Sequence, residues 1–318
     1  MNKRILIAEI SGKRPGTSKQ RPTENFETMH DIVIISNNSE GYVTDLPIIN
    51  VPEDYREWYF ANIKNSENAW YAPMNRSYAI KWARENGYDY LVQLDDNIIR
   101  LELCTVVEKD GITSRRRITS STKMLDDYIQ MFVTVLENTN AVMVGGQLNG
   151  IGVRDGGRFM IEGYVYSIFC LDLRKCPDVF HGDFEDDIEY RLKCKQMGLP
   201  VVQITPFRYG KVGQAKTKDL SGCRAEYLKA GLKRGEHMSR LYPDMYHCMM
   251  SRKGHFSGAK LDESAVNFKH IIKPFKVGVV VYDMKAITDC FHEIIEKNAE
   301  KKPDKSIFKV KKAKKNRG

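Results

Sequence analysis

Asp95, Asp96 and Asn97 directly follow an apolar run, YDYLVQL at 88–94, that reads as a buried strand. Two adjacent carboxylates and an amide at a strand end cost electrostatic energy unless a cation or a partner offsets them. Hard oxygen ligands of this kind suit Mg2+ or Mn2+ bridging to phosphates. A solvated turn or a helix N-cap uses the same residue types. Placement separates the two readings, because open α/β sheets bind their ligands at the carboxyl ends of their strands. A second acidic constellation lies further along the chain. FHGDFEDDIEYR, at 180–191, puts five carboxylates among residues 183–189, just ahead of a helical pattern. The helix macrodipole favours acids at such a start, but one cap does not need five. A carboxylate in this stretch is thus available as general base toward an acceptor hydroxyl.

Two basic features accompany the acids. SGKRPG at 11–16 follows the first strand-like run, and there glycines let backbone amides approach a phosphate while Lys13 and Arg14 neutralise it. A plain surface loop has the same composition. Asn75 and Arg76 open a helix that leads into the strand ending at Asp95, where they can face the same pocket and bind a base or a diphosphate. An N-cap Asn beside a solvent-facing Arg is the bland alternative. Several chemistries find no support. The Walker A spacing and G-x-G-x-x-G are absent after the first strand, and there is no G-x-S-x-G elbow. The seven histidines form no zinc motif, although His181, His237, His247 or His255 is available to complete a metal site.

The elements that must hold these residues alternate between strand and helix. Strand-like runs occur at 4–10, 31–36, 46–51, 88–94, 141–144, 163–171 and 200–205. Helical patterns occur at 73–86, closed by Gly87, at 122–138, at 185–197, and at 284–297 behind a capping Asp283; a shorter helical stretch ends near residue 29. The alternation predicts an α/β fold with a mostly parallel sheet. Between 207 and 275 the pattern weakens, and 299–318 has almost no apolar content, which predicts a disordered tail.

Composition narrows the class. The chain has 318 residues, 42 % hydrophobic, with a formal net charge of +9, ordinary for a globular protein and unlike a collagenous or low-complexity chain. Seven cysteines without a C-x-x-C pair suit free thiols in a reducing cytoplasm. The N-terminal apolar run is too short for a signal peptide, and no apolar stretch suits a membrane span. The positive charge is unevenly spread. Residues 301–318 carry nine Lys and Arg against Asp304, leaving the first 300 residues near neutral, while 208–240 carry nine Lys and Arg against three acids. A neutral body with a basic flank and a basic tail suits a polyanionic partner whose binding is salt-sensitive; a merely solubilising tail is the alternative.

Taken in order, the alternating N-terminal half, NRSYAIKWARENGYDYLVQLDDN, and FHGDFEDDIEYRLKCKQMGLPVVQI resemble a GT-A glycosyltransferase over roughly residues 3–210. The resemblance implies a Rossmann-like fold in which Asp95-Asp96-Asn97 stands for the Asp-x-Asp motif that holds Mn2+ or Mg2+ on a UDP-sugar. Asn97 departs from the more usual Asp. It further implies Asp186 as the base of an inverting enzyme, with Glu185 or Asp187 close behind, and nucleotide contacts from Lys13, Arg14, Asn75, Arg76 and Asp95. Within GT-A enzymes the IAEISGKRP start, LDDN and the EDD segment are most similar to the TET/JBP-associated glycosyltransferases of phages and DNA-hypermodification systems. That implies transfer of a sugar, glucose by expectation, to the hydroxyl of a 5-hydroxymethylpyrimidine in single- or double-stranded DNA. The expected organisation is a catalytic core at 1–210, a basic, mainly helical acceptor-side extension at 211–298, and the Lys-rich tail at 299–318. A glycan, lipid or protein acceptor, a nucleotidyltransferase, and a non-catalytic nucleic-acid-binding protein on a decayed transferase fold are the competing readings.

Overall fold

The computed structural model describes residues 3–63, 71–109, 112–149, 158–163, 165–181, 185–212, 233–250, 268–273 and 276–299. Residues 182–184, most of the basic flank and the Lys-rich tail lie outside the described residues. The N-terminal run ILIAEIS forms β1 (Ile5–Ser11), buried on both faces as a central parallel strand must be. It pairs in parallel with β2 (Asp31–Ser36) and with β4 (Tyr90–Asp95), and β3 (Ile48–Asn50) extends that side. The sheet continues through β9 (Ile168–Asp172), β7 (Met143–Leu148), β10 (Val201–Lys211), β5 (Ile98–Lys109) and β6 (Ile112–Ser121), in the order β3-β2-β1-β4-β9-β7-β10-β5-β6. β8 (Met160–Glu162) pairs antiparallel with β10. From β3 to β10 every strand runs the same way except β9, which is antiparallel to both neighbours. The fold is thus the mixed α/β class with a mostly parallel central sheet.

Helices cover both faces. On one face α2 (Tyr71–Glu85) buries Ala79, Ile80 and Ala83 among Leu6, Ala8 and Leu91, with α1 (Glu53–Asn62) beside it. On the other, α3 (Leu125–Glu137) inserts Tyr128, Ile129, Phe132 and Val135 among Val92, Leu101 and Phe207. The C-terminal helix Met284–Ala299 packs on this second face through Ile287, Cys290 and Ile294, and Lys297 Nζ donates to Asp127 Oδ1 at 2.5 Å. It therefore shares the main core with α3.

Most expected elements appear, with shifted limits. The stretch near residue 29 is only a short 3-10 turn, Pro22–Asn25, because Pro22 and the extended Phe26 bracket it. The run at 163–171 is not one strand: β8 ends at Glu162, and β9 starts only after Ser167, whose φ of +55° turns the chain. The long β5–β6 hairpin and α1 were not expected. In the hairpin, Arg100-Leu101-Glu102-Leu103 alternates over only four residues, and β6 is dominated by arginines and hydroxyl residues, so the strand signal is weak.

The topology matters for placement. Because β1, β2, β4 and β10 run together, Ser11, Asn37, Asp95 and Lys211 come to one edge of the sheet. Antiparallel β9 brings its start, not its end, to the same edge, so Ser167 lies beside Asp95. The descending β10 chain and the start of helix α4 (Asp186–Gln196) complete that edge.

Candidate active site

Asp95 closes β4 in a partly exposed position, and its two carboxylate oxygens are held by different cations. Arg76, from α2, donates through one amino group to Oδ1, and Lys211 Nζ, at the end of β10, donates to Oδ2 at 2.5 Å. Lys211 also donates to Ser167 Oγ at 2.9 Å, and the Asp95 backbone N–H donates to the Ser167 carbonyl at 2.8 Å. A non-glycine residue held at positive φ stores strain that its surroundings must support; here Ser167 serves both the main chain and the cation of Asp95. Burial alone would raise the Asp95 carboxyl, but Lys211 and Arg76 outweigh it and hold the group well below the usual carboxylate range.

Arg76 is the hinge of the arrangement. Its side chain is buried, its Nε donates to Asp186 Oδ2 at 2.5 Å, and its other amino group donates to Gln93 Oε1 at 3.1 Å. Gln93 Nε2 returns a bond to the Arg76 carbonyl at 3.0 Å, so the guanidinium is fixed from both ends. Burial pulls against its charge, yet Asp186, Asp95 and Asp187 together keep Arg76 protonated beyond its ordinary value. One arginine thereby ties together the two acidic constellations, reaching Asp186 from 110 residues earlier in the chain.

The start of α4 is not explained by capping. Its N-cap residue, Glu185, is buried and makes no side-chain cap hydrogen bond, and Asp186 is directed to Arg76. Asp187 stands beside them, partly exposed. Burial, and then the negative charges of Asp186 and Asp95, push its carboxyl up to about 7. That places it where a general base is effective at neutral pH.

The remaining candidates gather at the ends of β1 and β2. Asp96 is buried and points away from Asp95: Ser11 Oγ donates to its Oδ2 at 2.7 Å, and Arg14 lies 3.1 Å from its Oδ1. Burial raises the Asp96 carboxyl despite these partners. Lys13 is exposed, at φ +56°, with its backbone N–H on the Asn38 carbonyl at 3.1 Å. Asn75 Nδ2 donates to the Ser11 carbonyl at 2.9 Å and to Asn37 Oδ1 at 3.2 Å. Gly12 fits against this amide pair, since a Cβ there would stand 2.9 Å from Asn37 Oδ1. Asn97 Oδ1 is buried without a hydrogen-bond partner.

The structure thus divides the expected sets. Asp95, Asp186, Asp187 and Arg76 form one centre, while Asp96, Arg14 and Asn75 belong to the adjoining β1–β2 end. Lys211, Gln93, Ser167 and Asn37 take part without having been singled out. Of these only Lys211 lay in a stretch with a sequence signal, the basic run at 208–240; the others depend on register. Among the described residues no three His, Cys, Asp or Glu side chains gather as a metal-binding group. No described helix is long and apolar enough to cross a membrane. A hollow lined by Tyr55, Trp58 and Arg84 contains none of these groups.

No protein-family model matches the chain, and no curated protein matches it. Among solved structures it is similar to a protein from Desulfovibrio desulfuricans G20 assigned as a nucleotide-diphospho-sugar transferase, at 15 % identity and a TM-score of 0.35, over 76 % of this chain and 99 % of that one. It is also similar to glucosyl-3-phosphoglycerate synthase from Mycobacterium tuberculosis in complex with Mn2+, UDP and glucosyl-3-phosphoglycerate, at 9 % identity and a TM-score of 0.43, over 88 % of this chain and 90 % of that one. The same synthase is matched in complex with Mg2+ and UDP, at 8 % identity and a TM-score of 0.43, with the same coverage. Similarity at this level transfers no activity, so the functional reading rests on the side chains of this chain.

Proposed function

We propose that the chain is a glycosyltransferase that moves a sugar from a UDP-sugar to a hydroxyl acceptor. The observation that carries this reading is the Arg76 bridge between Asp95 and Asp186. It joins a strand-end carboxylate suited to the donor diphosphate with a helix-start carboxylate cluster suited to the acceptor. Asp187 is the general base. Asp186, the first expectation for that role, is committed to Arg76 and acts as a positioning residue, and Glu185 is buried at the N-cap. In transfer, Asp187 accepts the acceptor hydroxyl proton as that oxygen bonds to the anomeric carbon of the sugar, and the bond from that carbon to the diphosphate oxygen breaks so that UDP leaves with the electron pair. Lys211 and Arg76 hold Asp95 in place, and Arg14, Lys13, Asn75 and Asp96 border the nucleotide side.

The residues present fit a divalent cation. Arg76 and Lys211 balance only Asp95 and Asp186, and Asp187 must be a carboxylate to act as base, so a donor diphosphate arrives uncompensated. The oxygen donors would be Asp95, through the lone pairs that its bonds to Arg76 and Lys211 leave, and Asn97, whose buried Oδ1 has no hydrogen-bond partner. Asp96, turned to Ser11 and Arg14, does not share that set. Bound there, Mn2+ or Mg2+ would neutralise charge on the departing diphosphate.

For the acceptor we propose the hydroxyl of a 5-hydroxymethylpyrimidine in DNA. The sequence resemblance and the basic flank and tail support this choice, and such a base must be flipped from the duplex or presented on a single strand. The test is sugar incorporation from UDP-sugars with Mn2+ into hydroxymethylated DNA and into plain DNA. Incorporation only into the hydroxymethylated strand is expected. Transfer to a glycan, lipid or protein instead would retain the centre and overturn the DNA acceptor; no transfer and no UDP-sugar turnover with any acceptor would overturn the whole reading.

A further inference from the structure

The β5–β6 hairpin lies at the end of the sheet beyond β10, on the side away from the β1–β2 nucleotide end. β5, β6 and β10 together carry seven Lys and Arg against two acids, Glu102 and Glu108. Their register puts the central charges on one face. Leu101 and Leu103 face the α3 core, so Arg100 and Glu102 face the opposite side, the side of Asp95. Arg208 is paired with Glu102, and Arg117 with Cys104, which places both on that same face.

At its centre is a preorganised pair. Arg100 Nε donates to Glu102 Oε1 at 2.6 Å, and an Arg117 amino group reaches the same oxygen at 3.4 Å. The Glu102 side chain is only 8 % exposed, whereas Arg100 and Arg117 are 41 % and 42 % exposed. A buried carboxylate thus anchors two solvent-facing guanidiniums side by side. Charges on an edge strand also discourage sheet-to-sheet pairing, but that purpose needs no buried anchor and no second arginine on an inner strand.

We infer that this face is the seat of the acceptor's phosphate backbone, with Arg100 and Arg117 clamping phosphates of a nucleic-acid strand. The inference rests on the proposed function and adds where the acceptor lies. Guanidiniums suit phosphate through planar, paired donors. Arg115 and Arg117, two residues apart on β6, are about 7 Å apart along the strand, or two nucleotide rises of a duplex strand. The face also leads to the reaction centre: Arg208 is three residues, or about 10 Å, before Lys211 on β10, and Lys211 holds Asp95. A strand clamped at Arg100 and Arg117 can therefore present a base one or two nucleotides away to Asp187.

The test uses the full chain and short labelled DNA, single-stranded and duplex, with affinity followed by fluorescence anisotropy between about 50 and 200 mM NaCl. Arg100→Gln with Arg117→Gln should lower the slope of log affinity against log salt by about 1.4 to 1.8, with UDP affinity in Mn2+ unchanged. Arg100→Lys with Arg117→Lys should keep the slope, because the charges remain. If the double Gln variant fails to fold, Arg117→Gln alone should lower the slope by about 0.7 to 0.9. An unchanged slope in the folded Gln variant overturns the inference. So does a wild-type chain that binds no DNA, or that uses these arginines for anionic vesicles and not for DNA. Failure of the wild type to bind UDP would instead overturn the donor reading, leaving the slopes to decide the inference.

Discussion

Replacing Asp187 by Asn should damage activity and help stability in one stroke, and the size of each effect follows from the site. The carboxyl sits at about 7 in the folded chain against an ordinary value of 3.8, so between those pH values the folded state binds the extra proton. Stability therefore falls as pH rises from about 4 to about 7 and stays lowered above that. The full conversion, about 1.4 kcal/mol per tenfold, gives about 4 kcal/mol; for a partly exposed side chain about half of that is the reasonable expectation. Asn removes the ionisation, so in urea unfolding with chelator present the variant should match the wild type near pH 4 and exceed it by about 2 kcal/mol at pH 8. Sugar transfer should fall by about 100- to 10,000-fold. In the wild type the transfer rate should climb with pH to a midpoint at or below about 7, since a bound cation favours the carboxylate. An Asn variant that is less stable at pH 8, or one that retains transfer, refutes the assignment of Asp187 as base.

Other substitutions probe other joints of the site. Arg76→Leu leaves Asp95 and Asp186 without their shared buried partner and should cost about 3–5 kcal/mol in urea unfolding; a loss below about 1 kcal/mol would show that the bridge behaves as a surface ion pair. Gly12→Ala puts a Cβ 2.9 Å from Asn37 Oδ1, so the Asn37–Asn75 contact should open. Calorimetry should then record weaker UDP binding with little change in melting temperature; unchanged UDP affinity would remove the β1–β2 end from the nucleotide side. Deleting 301–318 should flatten the salt dependence of DNA binding without abolishing UDP-sugar hydrolysis, and an unchanged slope would demote the tail to a solubilising appendage.

Much of the centre was legible in sequence because its chemistry is written in residue type and in placement at element ends. Asp95 follows an apolar run and Asp186 opens a helical pattern, and those two facts suffice to put both at the sheet edge. Their relation is a different matter, because it depends on Arg76 reaching across to both carboxylates, a contact set by how α2 lies on β4. The choice between Asp186 and Asp187 was likewise invisible: neighbouring acids on one helix start are alike until one of them is taken by an arginine. Lys211 was hidden by an expected strand end at 205. β10 runs on to Lys211 through Pro206 because the register with β7 shifts between Ile204 and Arg208, leaving the proline without a ladder partner. The hairpin escaped because RLEL alternates over only four residues and SRRRITSS is charge and hydroxyl around one isoleucine, which reads as solvated chain unless its partner strand is known.

The central claim is that the two acidic constellations form a single sugar-transfer centre. Its most direct test is the release of UDP from UDP-sugars, with Mn2+ and hydroxymethylated DNA, by the wild type, by Asp95→Ala with Asp96→Ala, and by Asp187→Asn. The account predicts release by the wild type and its loss in both variants, with folding retained. Release that survives in either variant would contradict it.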